Sequence, residues 1–330
     1  MTDKNNPILE PKTQAFIDAL AAQGGEPLYE LPYADARKVL EDAQAGPVTK
    51  LPADVEDKIL PVGPTEEISV RIYRPKGARG LLPVVMYFHG GGWVLGSKGT
   101  HDRLLRDLVN GANAAFVFVN YTPSPEAQFP VPIEQDYAAT KYIAEHGEEF
   151  GFDTSRLAVA GDSVGGNMVA VVTQLAKERG GPAIRYQVLF YPVTDASLSQ
   201  KSYEEFADGP WLTTAAMKWF WDAYAPNKEH RKKTTASPLS ATVEQLKGLP
   251  PALLIMDEND ILRDEGEAYA RKLTQAGVDV TAVRFLATHH DFVLLNALAD
   301  TPAVKAAIQL ASRKLAEALS QASEKAAATE

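Results

Sequence analysis

Alternation of short apolar runs with amphipathic stretches, two glycine-rich turns placed directly after such runs, and an apolar fraction of 45% over 330 residues together predict an α/β fold. Its sheet is expected to be mainly parallel, with helices on both faces, because strand and helix periods take turns along most of the chain. A chain of this length and composition can bury one large core.

Residues 1–45 read as two amphipathic helices. The first spans about 11–23, with Phe16, Ile17 and Leu20 on one face and Gly24-Gly25 as its stop; the second spans about 33–45, with Val39 and Leu40 facing inward. A linker rich in Pro and small residues covers 46–53, and strands follow at 58–61, 68–74, 84–88 and 115–120. A helix is expected at 134–145, a buried strand at 157–160 and a long helix at 164–179. The stretch 195–235 interrupts the alternation and concentrates aromatic residues, among them Tyr203, Phe206, Trp211, Met217-flanked Trp219, Phe220, Trp221 and Tyr224, with a helix at about 213–223. Beyond it, 252–256 and 278–286 read as strands, and the tail 323–330 as frayed. The chain therefore divides into an N-terminal helical part of a cap (1–50), a first core part (51–194), a cap insertion (195–235) and a second core part (236–330).

Chemistry concentrates at four turns. Gly161-Asp162-Ser163-Val164-Gly165 joins the strand 157–160 to a helix, and a G-x-S-x-G sequence at a sharp strand-to-helix turn holds its serine at the apex. The strand ending at Phe88 runs into His89-Gly90-Gly91-Gly92-Trp93. Backbone free of side chains can turn N–H groups toward a developing oxyanion, and the spacing matches no phosphate loop. The polar loop 257–265 follows the strand 252–256, and Thr288-His289-His290-Asp291-Phe292 follows the strand 278–286. Nucleophile, acid and base thus come in the order Ser, Asp, His, with Asp257, Asp260, Asp264 and Asp291 as possible acids and His289 or His290 as the base.

His89-Gly90-Gly91-Gly92, Gly161-Asp162-Ser163-Val164-Gly165-Gly166, Asp260-Ile261-Leu262-Arg263-Asp264-Glu265-Gly266 and His290-Asp291-Phe292 resemble the signatures of the hormone-sensitive-lipase family of esterases, and Tyr121 to Pro130 resembles its Tyr-x-x-x-Pro-Glu-x-x-Phe-Pro segment. The likeness runs from about residue 60 to 318. It implies an α/β-hydrolase fold with a helical cap, and a serine carboxylesterase acting on short- to medium-chain acyl esters through an acyl-enzyme. By the same resemblance Ser163 is the nucleophile, Asp260 the triad acid and His290 the base, while Gly91, Gly92 and Val164 supply the oxyanion N–H groups. Val164 stands where the family usually has Ala, and Thr122-Pro123-Ser124 replaces its Arg-Leu-Ala. Trp93, Trp211 and Phe292 are expected to line the substrate pocket, with Val164 crowding its acyl side. An amidase, carbamate hydrolase or deacetylase would use the same triad. A ligand-binding receptor of this superfamily would lack the base, which His290 argues against.

Of the remaining histidines, His89 is expected to fix its loop, and His101, His146 and His230 to lie at the surface. There is no H-E-x-x-H and no cysteine, so neither a metal nor another cofactor is expected. A net charge of −10 and a pI near 5.2 disfavour nucleic acid or an anionic membrane as partner. The polar start 1–6 has no basic and apolar leader pattern, so a cytoplasmic location is expected. The expected partner is a small-molecule ester, with a homodimer open.

Overall fold

The computed structural model describes residues 7–320, so the expected fraying of 323–330 lies outside the described residues. An eight-stranded sheet forms its centre, in the order β1-β2-β4-β3-β5-β6-β7-β8. Its strands are β1 (Ala53–Leu60), β2 (Ile68–Pro75), β3 (Leu82–Phe88), β4 (Ala115–Asn120), β5 (Phe152–Asp162), β6 (Tyr186–Phe190), β7 (Ala252–Asn259) and β8 (Val280–His289). The first two pairings, β1 with β2 and β2 with β4, are antiparallel. From β4 to β8 every pairing is parallel.

The interior strands are apolar on both faces because helices cover both: Val84 to Phe88, Phe116 to Val119 and Leu157 to Ala160 are fully buried. The helices are α1 (Pro11–Gln23), α2 (Tyr33–Ala43), α3 (Asp102–Ala112), α4 (Val131–His146) and α5 (Val164–Glu178), followed by Thr214–Tyr224, Arg263–Gln275 and Pro302–Ser320 among shorter turns. The helix Pro302–Ser320 packs on α3, and α4 on α5, as the two pairs flank the sheet. Among the described residues no helix is long and apolar enough to cross a membrane.

Several expected boundaries move for physical reasons. β1 begins at Ala53, five residues before the expected 58, because this edge strand alternates polar and apolar side chains and leaves Val55 and Ile59 exposed. It shortens the linker. α4 starts at Val131, with Pro132 in its first turn, where a missing N–H breaks no bond. Phe16, Ile17 and Leu20 are only half-buried, and Thr13 is the buried residue of α1. In α2, Leu40 is buried but Val39 is 41% exposed, a correction to its inward placement. Adjacent helix positions point about 100° apart, and here the second direction faces an open cavity.

β3, β5, β7 and β8 end at one edge of the sheet. Their last residues are Phe88, Asp162, Asn259 and His289, so the four turns singled out in the sequence meet where open α/β sheets present their ligands.

Candidate active site

Ser163 stands between β5 and α5 with φ +56° and ψ −119°, backbone angles that a non-glycine residue rarely adopts. The strain is held from both sides. The Ser163 N–H donates to Phe190 O at 2.9 Å, and α5 crosses β3 so tightly that a Cβ on Gly165 would lie 2.0 Å from Phe88 O. Ser163 Oγ is 3.0 Å from His290 Nε2. His290 Nδ1 is 2.8 Å from Asp260 Oδ2, and Asp260 Oδ1 accepts the Leu262 N–H at 3.0 Å. Hydroxyl, imidazole and carboxylate therefore form one hydrogen-bonded chain, each member at most 4% exposed.

The neighbours differ from this chain in geometry. His289 has Nδ1 at 2.6 Å from His290 O, and its ring stacks near Phe16 and Trp211. Burial pushes it down to about 4. Asp257 is fully buried with no hydrogen-bond partner among the described residues. Burial and then the Asp260 charge raise its carboxyl well above the usual range. For His290, burial works against the charged form, but the carboxylates of Asp260 and Asp291 outweigh it and raise the imidazole to about 9. Among the described residues, Asp257, Asp260 and His290 are the one group with donor atoms close enough for a cation, within 4.8 Å of one another. Asp260 and His290 are already hydrogen-bonded to each other.

The glycine loop approaches from β3. Gly91 and Gly92 have φ of +103° and +62°, and a Cβ on Gly92 would lie 2.1 Å from the Phe220 ring. Neither N–H donates to another group among the described residues. Val164 begins α5, where helix geometry leaves its N–H without an intrahelical partner. Two histidines brace the loop. His89 is stacked on Tyr121 and Phe118 at 4.2 and 5.0 Å, with Nδ1 at 2.8 Å from Gly90 O. His101, expected at the surface, is fully buried, with Nε2 at 3.2 Å from Asp162 Oδ2. The correction has a clear cause. Asp162 lies in the elbow, is itself fully buried, and needs partners, which Tyr87 Oη at 2.7 Å and the Gly90 N–H at 3.1 Å complete. This carboxylate ties the elbow to the glycine loop.

Above the serine lies a cavity of about 440 Å³. Its walls come from Leu28, Tyr29, Val39 and Leu40 on one side and from Trp211, Met217 and Phe220 on the other, with Gly91, Gly92, Ser163, His290 and Asp291 at its base. Tyr33 stacks on Trp219 at 5.0 Å and Phe16 packs on Trp211 at 5.7 Å, joining the two walls. Trp211 borders the cavity as expected from its segment, but Trp93 and Phe292 do not. A φ of +60° turns Trp93 beneath the loop, where it is 0% exposed and stacks on Tyr224 at 4.1 Å. Phe292 is buried against Phe285 and Tyr191. The Val164 side chain is also fully buried and borders no part of the cavity, so it does not crowd the acyl side. Sequence reasoning missed Phe220 and Asp291 as cavity residues and Tyr191, whose ring meets His290 edge-on at 4.9 Å. Phe220 lay in the aromatic-rich stretch 195–235, and Asp291 followed the base directly, but neither position said which way its side chain points.

A mainly parallel sheet, a strained serine at a strand-to-helix turn and an acid and base on later strand ends define an α/β-hydrolase. Comparison with known proteins agrees: a family described as the alpha/beta hydrolase fold matches residues 85–294. A thermostable esterase from Pseudomonas putida ECU1011 is 53% identical, with a TM-score of 0.94 over 97% of this chain and 100% of that one. Carboxylesterase NlhH of Mycobacterium tuberculosis is 44% identical over 230 residues, 68% of this chain and 71% of its own. An ethyl acetate hydrolase from Pseudomonas putida is 34% identical over 301 residues, 88% and 94% of the two chains. The chain belongs to the hormone-sensitive-lipase-like family of α/β-hydrolase esterases, and it is a carboxylic-ester hydrolase.

Proposed function

We propose that the protein is a serine carboxylesterase that hydrolyses short- to medium-chain acyl esters through an acyl-enzyme. The observation that carries this reading is the continuous chain from Ser163 through His290 to Asp260 at the base of a walled cavity. Ser163 Oγ attacks the ester carbonyl while His290 Nε2 takes its proton, and Asp260 holds the proton on Nδ1. The carbonyl oxygen, as it becomes an oxyanion, is met by the N–H groups of Gly91, Gly92 and Val164. His290 returns the proton to the departing alcohol, and water then repeats the sequence on the acyl group. We read the N-terminal helical part and residues 195–235 as a cap, since Leu28, Tyr29, Val39 and Leu40 of the first and Trp211, Met217 and Phe220 of the second line the cavity. The ethyl acetate hydrolase relative supports a small ester as substrate.

The test is a series of p-nitrophenyl esters of increasing acyl length. Each methylene that enters the cavity adds about 0.8 kcal/mol of burial, until overpacking against its wall costs about 1–3 kcal/mol. The specificity constant is expected to climb to an optimum at roughly four to eight carbons and then to fall, as burial gains give way to overpacking. A rise continuing into long-chain esters would contradict the short-chain assignment.

A pH dependence follows from the same base. His290 accepts a proton only when neutral, and its folded-state value is raised from 6.5 to about 9. The specificity constant for an uncharged ester should therefore grow about tenfold per pH unit on the acid side and level off only in the alkaline range. A pH–rate profile already flat at neutrality would contradict it.

A further inference from the structure

Whether the Gly92 N–H can meet an oxyanion depends on how its peptide is held. Gly91 O accepts the N–H groups of Val94 and Leu95 at 3.1 and 2.7 Å, which folds residues 91–95 into a tight turn. The peptide between the two glycines is trans, and a trans peptide directs its C=O and the following N–H in opposite directions. The bonds that keep the Gly91 carbonyl inside the turn therefore direct the Gly92 N–H out of it, and both glycines border the cavity.

That turn is tied to other parts of the chain. The Ser124 N–H donates to Trp93 O at 2.8 Å. Arg37, on α2, donates from Nε to Val94 O at 3.0 Å and from Nη2 to Ser124 O at 3.1 Å. One guanidinium thus joins the turn to the loop that supports it. Its plane is fixed by Glu126, whose two carboxylate oxygens accept from Nη1 and Nη2 at 2.9 and 2.6 Å. The Arg37 and Glu126 side chains are 29% and 53% exposed, so the ion pair itself adds little stability. What it supplies is direction. The same helix carries Val39 and Leu40 into the cavity wall, so the wall and the oxyanion turn share an anchor.

On the reading that Gly91, Gly92 and Val164 meet the oxyanion, we propose that Arg37 is a positioning residue for ester hydrolysis: from α2 it fixes the turn 91–95 so that the Gly92 N–H meets the developing charge. Arg37 does not line the cavity, so its effect on the reaction passes through the turn. The oxyanion forms only as the serine adds to the carbonyl. An N–H held off its line therefore costs transition-state stabilisation and leaves ground-state binding largely unchanged. Lysine is not an equivalent, because a single ammonium has no planar fork to serve Val94 O, Ser124 O and the Glu126 carboxylate together.

The experiment measures kcat and KM for p-nitrophenyl butanoate, and the inhibition constant of a butyl trifluoromethyl ketone, in wild type, Arg37→Met and Arg37→Lys. The serine adds to that ketone to give a tetrahedral alkoxide, which takes the place of the oxyanion. Arg37→Met keeps an unbranched stem but donates no hydrogen bond. It should lower kcat by about tenfold, less than the hundredfold or more lost with a deleted oxyanion donor, and leave KM within about threefold of wild type. The inhibition constant should rise in proportion to the loss in kcat/KM. Arg37→Lys should fall between, and it carries the comparison if Arg37→Met does not fold. A purely structural tie would lower the melting temperature alone, with kcat and the inhibition constant unchanged wherever the variants are folded, and that result overturns the role of Arg37. A rise in KM with kcat unchanged overturns it too, since Arg37 would then serve only the cavity wall. Failure of the wild-type protein to hydrolyse the ester, or turnover that the ketone leaves untouched, would instead overturn the reading on which the proposal rests.

Discussion

Ser163→Ala is expected to lower ester turnover by about a million-fold, the loss typical when the nucleophile of such a chain is removed. The fold should survive. Ser163 Oγ makes one hydrogen bond, to His290, whereas the turn itself is held by the backbone bond to Phe190 and by the close crossing at Gly165. Removing one oxygen therefore deletes the covalent route and leaves the elbow's supports in place. Thermal unfolding and circular dichroism matching wild type, together with loss of the p-nitrophenol burst, would meet the expectation. A well-folded variant turning over within about a hundredfold of wild type would mean that another group carries the chemistry, since binding and the oxyanion donors alone retain far less.

How much of this site could be read before the structure depends on whether backbone or side chains carried the information. The elbow and the glycine loop were legible because their backbones need particular residues at fixed offsets: Gly165 has no room for a Cβ, and Gly92 packs on Phe220. β4 was legible to the residue because both its faces are buried, which leaves an unbroken apolar run. β1 was not, since its exposed alternation resembles a linker. Contacts between distant side chains were illegible for another reason. The bond from His101 to Asp162 spans 61 residues and that from Trp211 to Asp291 spans 80, and nothing local marks either partner. Trp93 shows the limit most clearly. Adjacency to the oxyanion glycines suggested a pocket wall, but its positive φ sends the ring into the core beneath. Position along the chain locates a residue near a site without saying which way it points.

His290→Ala should reduce turnover about as much as loss of the serine, because the hydroxyl is a weak nucleophile without a base to accept its proton. The informative comparison is His289→Ala, one residue away. Both rings are buried, so a purely structural account would expect similar damage from either. Their surroundings argue otherwise. His290 bridges Asp260 and Ser163 at 2.8 and 3.0 Å, and two carboxylates favour its protonated form. His289 bonds only to a neighbouring carbonyl, and burial lowers it to about 4, so it is neutral at working pH and aimed away from the serine. Its removal should affect mainly the packing of Phe16 and Trp211 around it, read as a lower melting temperature with turnover reduced by no more than about tenfold, the scale of a mutation that disturbs positioning and not chemistry. Loss of activity in folded His289→Ala equal to that in His290→Ala would mean that the base had been misassigned between two adjacent rings.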